Sequence, residues 1–200
     1  MASLPLPTPF LTTRLRYKGD PHDYVSVCAG FEVKTWRFER LAAHLTDWLP
    51  DFVFRPEDLP EHLDNTSAFR RMMERAVTYL YSEETTASRG ELGELLLHVI
   101  CRQFCDTFPA VSKIFYKTSS NEVVKGFDVA HTRYISGDDE IELWLGEAKF
   151  YQDGKSAVAE AVKSLAQHLE RGFLTAEKFM VGPKISKETP GYDHVSWLFD

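Results

Sequence analysis

Residues 126–151 read GFDVAHTRYISGDDEIELWLGEAKFY, and this stretch decides the fold. Phe127–Ile135 and Ile141–Tyr151 carry the apolar patterning of strands, and Ser136-Gly137-Asp138-Asp139 between them has the Gly-Asp content of a hairpin connection. An antiparallel pair follows. Asp128 opens its first strand and Glu147-Ala148-Lys149 lies on the second, with eighteen residues between Asp128 and Glu147. Alternate side chains on a strand share a face, so Glu147 and Lys149 point the same way and pairing can bring Asp128 beside them. Gly126 and Gly146 stand close before the two acids, where they would let backbone or a bound water approach. The Ala148 carbonyl is a further oxygen donor within the triplet.

Upstream, Glu91–Asp106 reads as a long apolar-rich helix. At about 100° per residue, Glu94 falls on the arc of Leu97, Ile100, Cys101, Phe104 and Cys105, whereas Glu91 shares a polar arc with His98 and Arg102. A carboxylate on an apolar arc is expensive unless it is paired or binds metal, which makes Glu94 a candidate third acid. Glu91 is assigned to the helix N-terminus. Val111–Thr118 predicts a strand, as does Lys178–Ile185. Lys155–Arg171 predicts an amphipathic helix with Val158, Ala161, Val162, Leu165 and Leu169 on its apolar side and Gly172 ending it. Helices flanking a mixed sheet imply a layered α/β domain over 89–200.

Residues 1–88 read as a smaller α+β lobe suited to docking a partner. Tyr24–Val33 alternates as a strand. Trp36–Trp48 reads as a helix stopped by Pro50, and Pro50–Asn65 as a connector. Ser67–Tyr81 predicts a second helix, capped by Asn65, Thr66 or Ser67. The polar run Ser82–Gly90 marks the boundary between lobe and domain.

The chain has 200 residues, 44% of them apolar, and no segment approaches the ~18 consecutive apolar residues of a membrane span. With no basic start or apolar run in Met1–Phe10, it reads as a cytoplasmic protein without a secretory signal. Three cysteines are too few for a disulfide framework. Cys101, Cys105 and His98 supply too few ligands for a closed zinc site. A net charge of −7 argues against a free-standing nucleic-acid binder, which would lean basic. Seven basic residues against four acidic ones between Lys149 and Lys187 allow a local basic face.

Phosphodiester hydrolysis at neutral pH needs an activated water and positive charge to meet the charge developing on phosphorus. Magnesium or manganese on oxygen ligands supplies both. Magnesium takes a few carboxylates and keeps several waters, so two or three acids on adjacent rigid elements with a lysine alongside are its fingerprint. The triplet alone is weak: Glu32-Val33-Lys34 repeats it, with Asp23 only nine positions upstream and no Glu-bearing helix before it, and reads as a surface strand with a salt bridge. The same plain alternative, a structural ion pair, stands beside Glu147 and Lys149.

The helix bearing Glu94, then Gly126-Phe127-Asp128, then Trp144-Leu145-Gly146-Glu147-Ala148-Lys149-Phe150-Tyr151 and a following helix resemble the PD-(D/E)xK nuclease superfamily. More narrowly, Gly-Glu-Ala-Lys-Phe-Tyr followed by Asp153-Gly154-Lys155-Ser156-Ala157 resembles the nuclease subunit of the Hachiman anti-phage defence system, over about the second half of the chain. The resemblance implies a restriction-endonuclease-like core and a bacterial DNase working with a superfamily-2 helicase that would supply the grip on DNA. It implies that Asp128 and Glu147 bind Mg2+ or Mn2+, that Lys149 orients the water or meets the phosphate charge, and that Glu94 supports the metal. It also implies further chain beyond Asp200. No small-molecule organic cofactor and no membrane association are expected.

Lys155, Lys163 and Gln167 are candidates for phosphate contact. His131, Arg133 and His168 are weaker candidates for assisting the site. Trp36, Trp48, Trp144 and Trp197 read as core or interface residues. Two rival functions stand against the nuclease: an inactive nuclease-fold module that docks a helicase or holds nucleic acid, and an enzyme using Cys101 or Cys105 as nucleophile, which burial of those thiols disfavours.

Overall fold

Val33 and Lys34 both have positive φ, at 48° and 66°, and close a tight hairpin in which Phe31 pairs with Trp36 and Glu32 with Thr35. The second Glu-x-Lys triplet is thus a turn, and Glu32 bonds Arg40 at 3.2 Å instead of Lys34. The computed structural model describes residues 6–59, 65–80, 88–110, 127–135, 140–169, 185–189 and 191–196. It is a mixed α/β structure whose chain divides into two compact units between Trp48 and Leu49.

The first unit pairs β1 (Thr12–Tyr17) antiparallel with β2 (Tyr24–Cys28), and β3 (Phe31–Glu32) with β4 (Thr35–Trp36), before α1 (Phe38–Asp47). The alternation read over Tyr24–Val33 therefore breaks at Gly30, whose φ of 81° suits glycine alone. Leu11, Ala29, Leu45 and Trp48 form the small core, where Trp48 Nε1 donates to His44 Nε2 at 3.2 Å. Trp48 is fully buried, as a core tryptophan should be, whereas Trp36 is exposed.

The second unit opens with α2 (Leu49–Val53) inside the stretch that reads as a connector. Pro50 sits in the first turn of α2, where its missing N–H costs nothing, so one proline ends α1 and starts its successor. α3 (Thr66–Leu80) is capped by Asn65, whose Oδ1 accepts from Ala68 N at 2.9 Å. It packs on α2. The two compact units divide at 48/49, while the polar run read as a boundary near residue 88 lies in good part (81–87) outside the described residues. α4 (Ser88–Phe104) leads to a three-stranded antiparallel sheet, ordered β5 (Phe108–Pro109), β6 (Val129–Ile135), β7 (Glu140–Gly146). α5 (Gly154–His168) and α6 (Tyr192–Ser196) complete it. The strands read over Val111–Thr118 and most of Lys178–Ile185, the hairpin loop 136–139, Gly126 and Trp197 lie outside the described residues.

α4 and α6 cover opposite faces of the sheet. His131 contacts His98 of α4, and Tyr134, one residue off its alternation, stacks on His194 of α6 with ring centroids 5.6 Å apart. The polar arc of α4 turns out to be an interior face. Asp51 of α2 accepts from His98 Nε2 and from Arg102 Nε, each at 2.9 Å. His98 Nδ1 lies 3.1 Å from His131 Nε2, and His131 Nδ1 lies 2.8 Å from Thr107 Oγ1. Arg102 Nη1 closes the ring on the Thr107 carbonyl at 2.9 Å. Thr107, His131, His98 and Asp51 thus form one continuous hydrogen-bonded chain, with His131 neutral. Burial, then the charges of His98 and Arg102, hold the His131 pKa well below 6.5, with Asp51 opposing them. Burial would raise Asp51, but the bonds and charges of His98 and Arg102 outweigh it and bring the carboxyl down to about 2. Glu91 lies in the first turn of α4, as read from sequence, and is also buried.

Candidate functional site

The register of β6 on β7 runs from Ile135 opposite Glu140 to Val129 opposite Gly146. Continued one step, it sets Asp128 opposite Glu147. The paired strand stops at Gly146, so Glu147 and Lys149 lie just beyond β7 and not on it, as the sequence suggested, and Asp128 lies just before β6. The two acids still lie at the same mouth of the hairpin, from which both chain ends leave. Asp128 Oδ2 accepts from Ala148 N at 2.7 Å, which ties the acid to the Glu-Ala-Lys backbone.

The Glu147 side chain is 5% exposed and held on one oxygen: Oε1 accepts from Lys149 Nζ and, at 2.6 Å, from Ser164 Oγ of α5. Its Oε2 is buried without a hydrogen bond among the described residues, 3.6 Å from His168 Nδ1. Burial works against the Lys149 ammonium, yet the Glu147 bond and the charges of Glu147, Asp128 and Tyr151 outweigh it and raise its pKa above the ordinary lysine value. Lys149 therefore feels both carboxylates and stays charged through neutral pH.

Alternation along the chain also decides what α4 meets. A Cβ on Gly93 would lie 3.3 Å from Phe150 Cβ and 3.5 Å from Ala148 Cβ, and one on Gly146 would lie 3.1 Å from Leu97 Cδ2. Both glycines let α4 approach this segment. Gly146 thus serves helix packing, where the sequence suggested room for water. The Ala148 and Phe150 side chains face α4, while Glu147 turns to α5. Glu94, half-buried and one residue along α4 from the Gly93 contact, is not assembled with Asp128 and Glu147: no group of three or more His, Cys, Asp or Glu side chains placed to hold a metal occurs among the described residues.

The donor set fits some cations and not others. A closed four-ligand zinc site is unsupported, and His98 is committed to Asp51 and His131. Two carboxylates at one hairpin mouth, one with a buried oxygen that accepts no hydrogen bond among the described residues, suit a hard cation that keeps most of its waters. An unpaired buried acceptor costs ~1–3 kcal/mol, so a ligand there would offset a penalty the protein otherwise carries.

The family model HamA matches residues 6–200. The chain belongs to the HamA family. Membership connects it with the Hachiman anti-phage defence system, as the resemblance around Gly146–Tyr151 implied, and the match runs through the N-terminal half, where the sequence showed little. No curated protein and no solved structure matches this HamA-family chain. No helix among the described residues is long and apolar enough to cross a membrane.

The remaining candidates are dispersed. Lys155, Lys163 and Gln167 are exposed on α5, with Lys163 3.9 Å from Glu160. Arg133 pairs with Glu142 at 2.7 Å and stacks on Trp144, a structural use. His131 belongs to the buried Asp51 cluster. Burial, then Cys105, pushes the Cys101 thiol up to about 12, which leaves it inert as a nucleophile at neutral pH. Of the weaker candidates only His168 reaches the site. Ser164 was missed, because the apolar stripe of α5 drew the reading to its other side.

Proposed function

We propose that this chain is the metal-dependent DNase subunit of a Hachiman defence complex, hydrolysing DNA phosphodiesters under the control of a helicase partner, on a PD-(D/E)xK, restriction-endonuclease-like core. The observation that carries the proposal is the convergence of Asp128 and Glu147 at one hairpin mouth, with Lys149 beside them and Glu147 Oε2 buried and without a hydrogen bond among the described residues. Asp128 and Glu147 would hold Mg2+ or Mn2+, joined by the Ala148 carbonyl, with Glu94 the third acid to test. The bound cation supplies Lewis acidity and lowers the pKa of water. Lys149, charged at neutral pH, acts electrostatically: it orients the attacking water or meets the charge developing on phosphate, and it does not serve as a base. Exposed Lys155, Lys163 and Gln167 are placed to touch the phosphate backbone, while the partner supplies most of the electrostatic grip that a chain of net charge −7 lacks.

Glu147→Ala and Lys149→Ala each lower DNA cutting by the reconstituted complex at least ~100-fold, while size-exclusion chromatography shows the complex intact. Wild-type cutting by both variants would sink the site assignment.

A second reading has its own observation. Lys149 and Ser164 hold Glu147 Oε1 without any ligand, as in an inactive module that docks a helicase or holds nucleic acid. Calorimetric titration with Mn2+ separates the two, since the module shows no heat that depends on Asp128 and Glu147.

A further inference from the structure

The inward face of α5 is displaced from its apolar stripe. Val158, Val162 and Leu169, which the helical pattern assigns to the core, are 65%, 60% and 59% exposed, while Ala161 and Leu165 of the same stripe are half-buried beside half-buried Ser164 and buried His168. Burying that stripe would contribute ~25 cal/mol for every Å² of apolar surface. The fold forgoes this gain to set Ser164 and His168, one turn apart, against Glu147. The link from Lys149 to the helix is short, and Asp153 caps it: its Oδ2 accepts from Ser156 N at 2.8 Å and from Ser156 Oγ at 2.6 Å. The cap fixes the rotation of α5 relative to the Glu-Ala-Lys segment. A mid-helix serine commonly bonds the carbonyl four residues back. Ser164 donates to Glu147 Oε1 instead, at 2.6 Å.

From this geometry we infer that Ser164 is a positioning residue for the metal carboxylate, with His168 as its flanking wall. Two donors, Lys149 Nζ and Ser164 Oγ, commit Oε1 and set the plane of the carboxylate, so that Oε2 is the oxygen presented to a hard divalent cation. His168, in ring contact with Phe127 at 5.0 Å, closes the side of the site next to Oε2. The inference rests on the metal-binding role proposed for Glu147. Outer partners of this kind change metal affinity ~10–100-fold when removed.

The test is calorimetric titration of the full chain with Mn2+, well below its melting temperature. Ser164→Ala raises the Mn2+ Kd at least ~10-fold. Ser164→Val does the same, and Ser164→Thr, equal to valine in shape but carrying the hydroxyl, stays within about threefold of wild type. A folding defect alone would move Thr and Val together. Equal Mn2+ affinity in wild type, Ser164→Ala and Ser164→Val, with binding abolished by Glu147→Gln, overturns the positioning role and leaves the metal reading standing. Absence of Mn2+ binding in wild type, or binding unchanged by Glu147→Gln, overturns both.

Discussion

Asp51 lies in a segment whose prolines read as a connector, yet its carboxylate is where His98 and Arg102 converge from 47 and 51 residues away. Nothing local marks it, because the cost of burying His98 and Arg102 is met by a partner that only the tertiary fold supplies. The same blindness hid the inward face of α4: a His and an Arg on one arc look like a solvent side until their acceptor is known. By contrast, Asp128, Glu147 and Lys149 were legible, since the two-residue period of strands carries over to the residues just outside the ladder. Removing Asp51 leaves Arg102, whose side chain is 8% exposed, buried without its counter-charge. Asp51→Ala lowers unfolding free energy by about 3 kcal/mol in urea titration. A loss below about 1 kcal/mol would show that the cluster carries little of the stability assigned to it.

Among the elements, α1, α3, α4, α5 and the β6/β7 hairpin follow from periodicity and punctuation, with ends displaced by a few residues. The rotation of α5 does not follow, because an apolar stripe states which side prefers the interior and not which side a neighbouring carboxylate will claim. α4 meets the site through a glycine, a feature that pattern alone reads as a weak spot in a helix. These two orientations make opposite forecasts. Val158→Gln, on an exposed position, changes stability by no more than about 0.5 kcal/mol. Gly93→Leu forces a side chain where Phe150 Cβ already stands 3.3 Å from an added Cβ, and costs about 1–3 kcal/mol. Thermal melts of the two variants, run side by side, check both helices; a stable Gly93→Leu protein would contradict the close approach of α4.

For the whole molecule, acid is the condition that separates the folded from the unfolded chain. Asp51 titrates near 2 when folded and near 3.8 when unfolded, so its contribution of about 2 kcal/mol is complete above the unfolded value and is lost as pH falls from there toward 2. His131 is held neutral in the fold with a pKa well below 6.5, so the unfolded chain takes up its proton first and stability declines as pH drops below about 6.5. Both groups slope the same way. The urea midpoint of the wild-type chain should therefore decrease from pH 7 to pH 3, through His131 first and Asp51 below about pH 4, and Asp51→Asn combined with His131→Gln should flatten the decline. A midpoint independent of pH over that interval would contradict the protonation states assigned to the Asp51 cluster.

The hairpin tip of the first unit has a practical use. Val33 is 94% exposed, and its neighbour Lys34 shares the turn. Exposed loop tips of this kind tolerate inserted sequence. A peptide tag or a cysteine for a fluorescent dye placed between Val33 and Lys34 would label the N-terminal unit without touching Glu147, so that its encounters with other macromolecules could be followed by anisotropy while Asp128, Glu147 and Lys149 stay intact.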